Sequence, residues 1–184
     1  MIAINATSGG GKTALATLVH KSLPNSALFC FDEFDATNVY PADYYEWWIR
    51  GGDLEEFDCP GMRAAVDDEI QNGKSQYIVI DYPFGRDHSR FRDVIALSVW
   101  LETPLDIAMA RRILRDLERP PDASPQERIE RLKEELHHYL VKSRPLYADD
   151  LHMRTADLVL EGEKPLEELR DRIIEAISRR QVMK

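Results

Sequence analysis

The sequence is poor in cysteine, has no excess of positive charge and contains no long hydrophobic run. Its two cysteines, Cys30 and Cys59, are spaced for neither a zinc site nor a redox pair, which predicts two reduced thiols. The 24 Lys and Arg residues are outnumbered by 33 Asp and Glu residues, and the net charge of −9 argues against a protein that mainly binds nucleic acid or anionic lipid. Any anionic ligand must therefore be met by a local cluster of positive groups.

The patterns of a leader and of a membrane anchor are also missing. No basic region precedes the apolar residues at positions 2–4, the first lysine is Lys12, and nowhere do about 18 apolar residues follow one another. We therefore expect a cytoplasmic protein with neither a nucleic-acid nor a membrane partner. With 184 residues, 43% of them hydrophobic, the chain is long enough for a single domain over 1–184 with a substantial core.

Short β-branched and aromatic runs alternate with helical patterns along the chain. The runs lie at positions 2–5, 27–31, 77–80, 94–101 and 158–160, and several are apolar throughout, as in strands that are covered on both faces. Between the last two runs, Ser124 and Glu127 form a capping box around Pro125, so a helix is expected to begin there. This alternation predicts an α/β fold with a mainly parallel sheet.

Two segments interrupt the alternation. Residues 37–61 hold six of the sixteen aromatic residues, six acids and one base, and a helix opened by Pro41 is expected within them. Residues 119–125 are rich in proline, which is typical of the tip of a helical hairpin. The aromatic residues of the first segment are Tyr40, Tyr44, Tyr45, Trp47, Trp48 and Phe57.

A phosphate-binding loop is indicated between the first strand and the first helix. Residues 6–13 read ATSGGGKT, which matches the P-loop pattern except that Ala6 replaces its first glycine. Glycine lets backbone N–H groups turn toward phosphate oxygens, Lys12 supplies a point charge to the β- and γ-phosphates, and Thr13 offers a hydroxyl to Mg²⁺. The predicted nucleotide-binding residues are Ser8, Gly9, Gly10, Gly11, Lys12, Thr13 and Ala14.

The same loop also fits a dinucleotide-binding fingerprint. Gly9, Gly11 and Ala14 have its spacing, and Asp32 follows the next strand. That fingerprint does not require the Lys-Thr pair, and the chain length leaves little room for a second nucleotide-binding half. A dehydrogenase is thus an alternative to the P-loop interpretation.

Two carboxylates and a row of arginines are the remaining candidates for chemistry. Asp32 follows the second strand, where it could accept the proton of an attacking hydroxyl. Asp81 ends the third strand, where it could hold Mg²⁺ together with Thr13. A row of arginines on one helix face before the proline-rich break is expected to offset charge on a transferring phosphoryl group. The row consists of Arg112, Arg115 and Arg119.

Together these motifs resemble the uridine kinase family of P-loop nucleoside kinases over nearly the whole chain. The more specific parts are Asp32-Glu33-Phe34 after the second strand and the lid-helix sequence RRILRD at 111–116, with Pro145 and a closing strand at 156–160 behind it. The resemblance implies a three-layer fold in which helices flank five parallel strands, with a helical lid near 108–128 and an acceptor-side segment near 37–61. It implies ATP and Mg²⁺ as cosubstrate and cofactor, and a nucleoside-like small molecule as acceptor. The implied roles are catalysis for Asp32, Lys12, Arg112 and Arg115, nucleotide binding for Arg119, and metal binding for Thr13 and Asp81.

The sequence departs from that family at three places. Asp81 stands where the family more often has Glu, Asp35 replaces its tyrosine, and Pro-Pro-Asp at 120–122 replaces its basic lid tip. Kinase chemistry is therefore better supported than uridine as the substrate. The acids of residues 37–61 favour an uncharged or cationic hydroxyl-bearing acceptor over a monophosphate.

Two other functions stay open. A nucleoside-monophosphate kinase would hold its acceptor phosphate with the arginines after the third strand, Arg86, Arg90 and Arg92. An ATP-dependent regulatory module would hydrolyse ATP slowly without an acceptor. The sequence also leaves the oligomeric state open, with a homo-oligomer as one option.

Overall fold

The computed structural model describes residues 1–118, 123–144 and 155–182, and five strands within them form one parallel sheet. The strands are β1 (Ile2–Asn5), β2 (Ser26–Cys30), β3 (Tyr77–Asp81), β4 (Leu97–Glu102) and β5 (Leu158–Glu161). Their order across the sheet is β2-β3-β1-β4-β5, and every neighbouring pair is parallel. The predicted α/β class and the five-stranded parallel sheet are confirmed.

The strand order decides between the two interpretations of the glycine-rich loop. In the dinucleotide-binding fold the second strand lies directly beside the first. Here β3 lies between them, with Ile4 opposite Asp81 on one side and Cys30 opposite Asp81 on the other. The dinucleotide interpretation is therefore wrong, because the topology brings the end of β3, and not that of β2, next to the loop.

Seven helices within the described residues connect and cover the strands. They are α1 (Lys12–Ser22), α2 (Tyr44–Ile49), α3 (Pro60–Asn72), α4 (Ser89–Arg92), α5 (Leu105–Glu118), α6 (Pro125–His138) and α7 (Leu166–Val182). Two 3₁₀ turns at Phe31–Thr37 and Leu54–Glu56, and a π-helical turn at Tyr139–Ser143, complete the described elements. The capping box forms as predicted, since the side chains of Ser124 and Glu127 each accept from the other residue's backbone amide.

Two element boundaries differ from the predictions. The run at 94–101 becomes a strand only from Leu97, because the amides of Val94 and Ile95 bond to the carbonyl of Phe91 and prolong the turn of α4. The helix expected at Pro41 begins at Tyr44. The carboxylate of Asp43 accepts from the amides of Tyr45 and Glu46 at 2.8 and 2.9 Å, and this cap fixes the first turn.

Alternate strand residues pack into two separate cores, which gives the three layers. On one face Ile4, Val79 and Val99 meet α1 and α7, in a cluster that includes Leu15 and Ile173. The other face forms a second cluster, and α3 and α4 contribute to it. Its members include Ala3, Ile78, Ile80, Met62 and Phe91. Both faces of the sheet are thus covered, so its ligand-accessible edge is the one where the strands end.

Both cysteines are free thiols, as predicted. Both are also buried, and burial raises the pKa of each thiol to about 11. A thiol in this state is a poor nucleophile and packs as a small apolar group. Within the described residues, the helices are all too short or too polar to cross a membrane.

Candidate active site

A cleft of about 1020 Å³ opens at the carboxyl ends of the strands. One side is made by the glycine-rich loop and the start of α1, and α5 stands over it. The other side is made by the turn after β2, by residues 40–57 and by the residues after β3. This is the place where open α/β sheets bind ligands, because the loops that leave parallel strands converge there.

Glycine is required in the loop for two different reasons. Gly9 has a φ of +81°, and a methyl group there would lie 2.1 Å from the carbonyl oxygen of Ala108 on α5. A methyl group at Gly10 would lie 2.8 Å from the Cβ of Ala6. Ala6 itself does not have a positive φ, so the pattern's first glycine can be alanine as long as Gly10 stays small. The departure from the P-loop pattern is therefore compatible with the loop's shape.

The loop is anchored by Thr103, a residue that sequence reasoning missed. The hydroxyl of Thr103 donates to the carbonyl of Gly10 at 2.9 Å, and the amide of Gly10 donates to the carbonyl of Thr7 at 2.9 Å. Gly10 is consequently turned away from the cleft. The other six loop residues that were predicted to bind nucleotide all line it. No local signal marks Thr103, because it lies 93 positions from its partner and follows the end of β4.

Lys12, Thr13 and Asp81 come together at the base of the cleft. The hydroxyl of Thr13 donates to Oδ2 of Asp81 at 2.5 Å, and the Nζ of Lys12 lies 4.0 Å from Oδ1. That Oδ1 is buried and accepts no hydrogen bond from the described residues. An ionised carboxylate oxygen left in this state is costly to bury unless a cation joins it. The orphaned oxygen therefore fits a divalent cation held by Thr13 and Asp81.

The charge of Asp81 is governed by its surroundings. Burial raises the pKa of its carboxyl, and the charges of Asp32 and Glu33 raise it further. Lys12 and the hydrogen bond from Thr13 act in the opposite direction but do not cancel the effect of burial. The described residues contain no group of three or more His, Cys, Asp or Glu side chains that could hold a metal ion by themselves. Mg²⁺ in phosphoryl-transfer enzymes often has only one or two protein ligands, because substrate phosphates and water complete its shell.

Asp32 and Asp35 lie on the 3₁₀ turn that follows β2, and both line the cleft. The hydroxyl of Tyr40 donates to Oδ1 of Asp35 at 2.6 Å, while the side-chain amide of Asn38 donates to the Tyr40 hydroxyl at 3.2 Å. Burial, followed by the hydrogen bond to Asp35, raises the pKa of Tyr40 to about 12. Tyr40 thus stays protonated and holds Asp35 in place.

Aromatic rings form a continuous wall around this part of the cleft. Phe57 is central, with its ring centroid 4.7 Å from that of Phe84 and 5.2 Å from that of Trp47. Phe31 lies 5.8 Å from Phe84 and 6.1 Å from Tyr40. The apolar and aromatic residues that line this side are Phe31, Tyr40, Tyr44, Trp47, Leu54, Phe57, Pro83 and Phe84.

Four of the six aromatic residues of 37–61 line the cleft and two do not. Tyr45 and Trp48 pack on each other outside it, with centroids 6.2 Å apart, and the Nζ of Lys142 lies 5.5 Å from the Tyr45 ring. Sequence reasoning missed Phe31 and Phe84, which come from the ends of β2 and β3. The sequence signal that could have found them is their position just after a strand: Phe31 is one residue beyond β2, and Phe84 is three residues beyond β3. Ligands bind at this edge of the sheet.

The arginines of α5 lie above the glycine-rich loop. Arg111, Arg112 and Arg115 line the cleft, and the Cβ of Arg112 is 3.3 Å from the place of a methyl group at Gly9. Arg112 is paired with Glu135 of α6, and Arg115 lies 3.1 Å from Asp116. Arg111 also donates to the carbonyl of Gly162 at 3.2 Å. The remaining predicted nucleotide-binding residue, Arg119, lies outside the described residues, as do Pro145 and the Pro-Pro-Asp sequence at 120–122.

The acids of 37–61 do not face the cleft. Glu56 forms a two-pronged pair with Arg50, Asp58 pairs with Arg90, and Glu55 accepts from the amide and hydroxyl of Ser89. The acids that line the cleft are instead Asp32 and Asp35. Apart from Asp81 at its base, the acids of the cleft among the described residues therefore come from the turn after β2 and not from the segment that follows it.

The arginines proposed for an acceptor phosphate are also directed elsewhere. Arg86 lies 2.7 Å from Asp157, and Arg90 is paired with Asp58. Arg92 donates to the carbonyls of Arg86 and Asp87 at 2.8 and 2.6 Å. None of the three is among the described residues that line the cleft.

The chain was compared with protein-family models, curated proteins and solved structures. No protein-family model matches the chain, and no curated protein matches it. TT1252 from Thermus thermophilus is a solved structure that is 17% identical, covering 97% of this chain and 96% of that chain, with a TM-score of 0.56. A gluconokinase from Sinorhizobium meliloti is 14% identical over 97% and 91% of the two chains, with a TM-score of 0.54. A sugar kinase from Janibacter sp. is 18% identical over 96% and 93%, with a TM-score of 0.53.

Similarities at this level of identity concern the fold alone. The arrangement shared with the gluconokinase and the sugar kinase is a parallel sheet flanked by helices. The chain thus has the three-layer fold of P-loop kinases, as its sequence predicted.

Proposed function

We propose that the protein is an ATP-dependent small-molecule kinase that transfers the γ-phosphoryl group to a hydroxyl of a nucleoside-like acceptor. The observation that carries this proposal is the division of one cleft into two unlike halves. A glycine-rich loop with Lys12 and Thr13 forms one half, and an aromatic compartment with Asp32 at its edge forms the other. A site that only hydrolyses ATP has no need for a compartment of the second kind.

The loop half is suited to the triphosphate. Backbone amides at the start of α1, together with the helix dipole, attract phosphate oxygens, and the Lys12 ammonium adds a point charge. Mg²⁺, when bound, neutralises charge on the β- and γ-phosphates. Thr13 and Asp81 would hold it, because both present oxygen atoms and one carboxylate oxygen of Asp81 is buried without a hydrogen-bond donor among the described residues.

The reaction proposed is a direct transfer. The acceptor's hydroxyl oxygen forms a bond to the γ-phosphorus as the bond from that phosphorus to the β–γ bridging oxygen breaks. The hydroxyl proton passes to the carboxylate of Asp32, and the products are ADP and a phosphate ester. Arg112 and Arg115 offset charge on the moving phosphoryl group from the α5 side.

The organisation proposed with this function is a single domain over 1–184. Its lid covers about 108–128 and consists of parts of α5 and α6 on either side of the proline-rich break. Its acceptor-side segment covers about 37–61. The contact of Gly9 with the backbone of Ala108 supports a coupling between the lid and the phosphate loop.

A nucleoside-monophosphate kinase is less well supported. Its acceptor phosphate would need positive groups in the aromatic half, and Arg86, Arg90 and Arg92 are engaged with Asp157, Asp58 and backbone carbonyls. The acids Asp32 and Asp35 would repel a phosphate there.

ADP release in the presence of ATP and Mg²⁺, with a panel of nucleosides, their monophosphates and other alcohols, tests the proposal. We expect ADP release to depend on an uncharged or cationic acceptor. Lys12→Ala is the control for contaminating kinases. Equal ADP release with and without every acceptor would indicate a hydrolytic regulatory protein, and turnover of monophosphates alone would indicate the other kinase class.

A further inference from the structure

The positive and negative charges of the cleft are sorted into its two halves. The fixed cations are Lys12 in the phosphate loop and three arginines on α5 beside that loop. Arg111 lies close to Gly11 and Arg112 lies close to Gly9. A methyl group placed on either glycine would be within 4 Å of the corresponding arginine side chain. Among the described residues, the only charged side chains lining the aromatic half are Asp32 and Asp35. His138, at the end of α6, also lines the cleft.

Besides the hydroxyl of Tyr44, the aromatic half offers few hydrogen-bond donors to a ligand. The indole N–H of Trp47 donates to the carbonyl of Asp53 at 2.7 Å, and the hydroxyl of Tyr40 donates to Asp35. No Asn, Gln, Ser, Thr, Lys or Arg side chain of the described residues lines this half. A neutral pyrimidine such as uracil presents carbonyl oxygens, which carboxylates cannot serve. A cationic nitrogen does not need a hydrogen-bond donor from the protein. It is attracted both by the aromatic rings and by the carboxylates that line this half.

Aromatic rings and a carboxylate together are the groups that recognise an organic cation. The negative faces of aromatic rings attract ammonium groups, most strongly where water is excluded. Here six rings line one compartment, and Asp35 is fixed beside it by the Tyr40 hydroxyl at 2.6 Å. Asp32 stands on the same turn, closer to β2 and to the buried Asp81, whose pKa it raises. A molecule with its cation near Asp35 would direct a neighbouring hydroxyl toward Asp32.

We infer that the acceptor is an amino alcohol, with a cationic nitrogen among Tyr40, Trp47 and Phe57 beside Asp35 and its hydroxyl at Asp32. This inference rests on the proposed kinase function of the cleft. It narrows the acceptor from any nucleoside-like hydroxyl compound to one that carries positive charge within a few bonds of the reacting oxygen.

A matched pair of alcohols tests the charge directly. Choline and 3,3-dimethylbutan-1-ol have the same shape and differ only in having a quaternary nitrogen or a quaternary carbon. At pH 8, above the ordinary titration range of histidine, we expect kcat/KM for choline to exceed that for the neutral alcohol by about tenfold or more. The binding of both compounds is also measured by calorimetry with a non-hydrolysable ATP analogue and Mg²⁺, and the same ratio is expected in Kd.

Two pairs of variants locate the preference. Trp47→Leu should reduce the choline preference to within about threefold of the neutral alcohol, whereas Trp48→Leu, outside the cleft, should preserve it. Asp35→Asn keeps an oxygen for the Tyr40 hydroxyl but removes the charge, and should weaken choline binding about fivefold. Glu46→Gln removes an exposed charge on α2 that does not line the cleft, and should have no effect.

The outcomes separate this inference from the proposed function. Equal binding and turnover of the two alcohols, or preferred turnover of neutral nucleosides, would overturn the inference and leave the kinase function standing. Preferred binding of choline that is lost in Trp47→Leu and Asp35→Asn supports the inference even if choline is too small to be phosphorylated. Preferred choline binding without acceptor-dependent ADP release from any alcohol would overturn the kinase function and, with it, the amino alcohol as acceptor, and would leave only a binding site for organic cations.

Discussion

The two halves of the cleft are built in contrasting ways. The donor half comes mainly from one stretch of chain, residues 7–14, where the backbone conformation itself provides the binding groups. The acceptor half is assembled from the ends of β2 and β3 and from residues 40–57, whose rings meet only because β3 lies beside β2. A contiguous backbone motif can be recognised from its residues, whereas a wall of side chains from separate segments depends on the whole sheet.

The halves also differ in what would disturb them. The phosphate loop is held by close packing at Gly9 and Gly10 and by the Thr103 hydroxyl, so single atoms matter there. The aromatic wall is held by many ring contacts, from 4.7 to 6.4 Å between centroids, and no single contact dominates. We therefore expect changes in the donor half to affect all acceptors alike, and changes in the acceptor half to alter selectivity.

Lys12→Ala should have the largest effect. It removes a charge that is largely buried at the base of the donor half, with no other lysine among the described residues that line the cleft. We expect ATP affinity measured by calorimetry to fall by about a hundredfold or more and turnover to become undetectable with every acceptor. Lys21→Ala, exposed on the same helix, is the control. Unchanged ATP affinity would contradict the assignment of the loop.

Asp32→Asn should impair the transfer to the acceptor without impairing ATP binding in the donor half. The variant keeps the size of the side chain but cannot take up the acceptor's proton, so kcat should fall by roughly 10²- to 10⁴-fold while ATP affinity is kept. Single-turnover kinetics would show whether the chemical step is the one affected. Glu33→Gln, on the same turn but not lining the cleft, should leave kcat nearly unchanged. A kcat equal to that of the wild type, with chemistry limiting, would remove Asp32 from its role.

The α5 arginines should give a smaller effect that is confined to the transfer step. Arg112→Ala and Arg115→Ala should each lower kcat by about ten- to a hundredfold and change the Kd for ATP by less than about threefold. Glu135→Gln removes the partner of Arg112 but keeps its guanidinium, and should not lower kcat. A loss of ATP affinity without a loss of kcat would make both arginines ordinary binding residues.

Asp81→Asn should have a small effect on stability that changes with pH. Burial raises the pKa of Asp81 above the usual 3.8, so the folded protein retains this proton where the unfolded chain has lost it. Unfolding then releases a proton, and the contribution of Asp81 to the free energy of unfolding falls as pH rises through this range. The stability of the wild type relative to Asp81→Asn should therefore decrease from pH 4 upward in urea titrations without nucleotide or Mg²⁺. A relative stability that rises with pH would refute this account.

Some features of the protein were determined by local sequence. The P-loop pattern, the capping box at Ser124 and the apolar runs of β1 and β3 were all predictable, because each depends on residues within a few positions of one another. The placement of Asp81 at the end of a strand followed from the same periodicity.

Other features were decided only by the tertiary structure. The insertion of β3 between β1 and β2 rejected the dinucleotide interpretation, which fitted the same glycines. The bond from Thr103 to Gly10, the pairing of Arg112 with Glu135 and the entry of Phe84 into the aromatic wall join residues that lie far apart in the chain. Such contacts depend on strand order, register and the space left by neighbouring side chains. Local propensity and periodicity contain none of this information, so the sequence indicated which residues can carry the chemistry, while the folded sheet decided which of them meet.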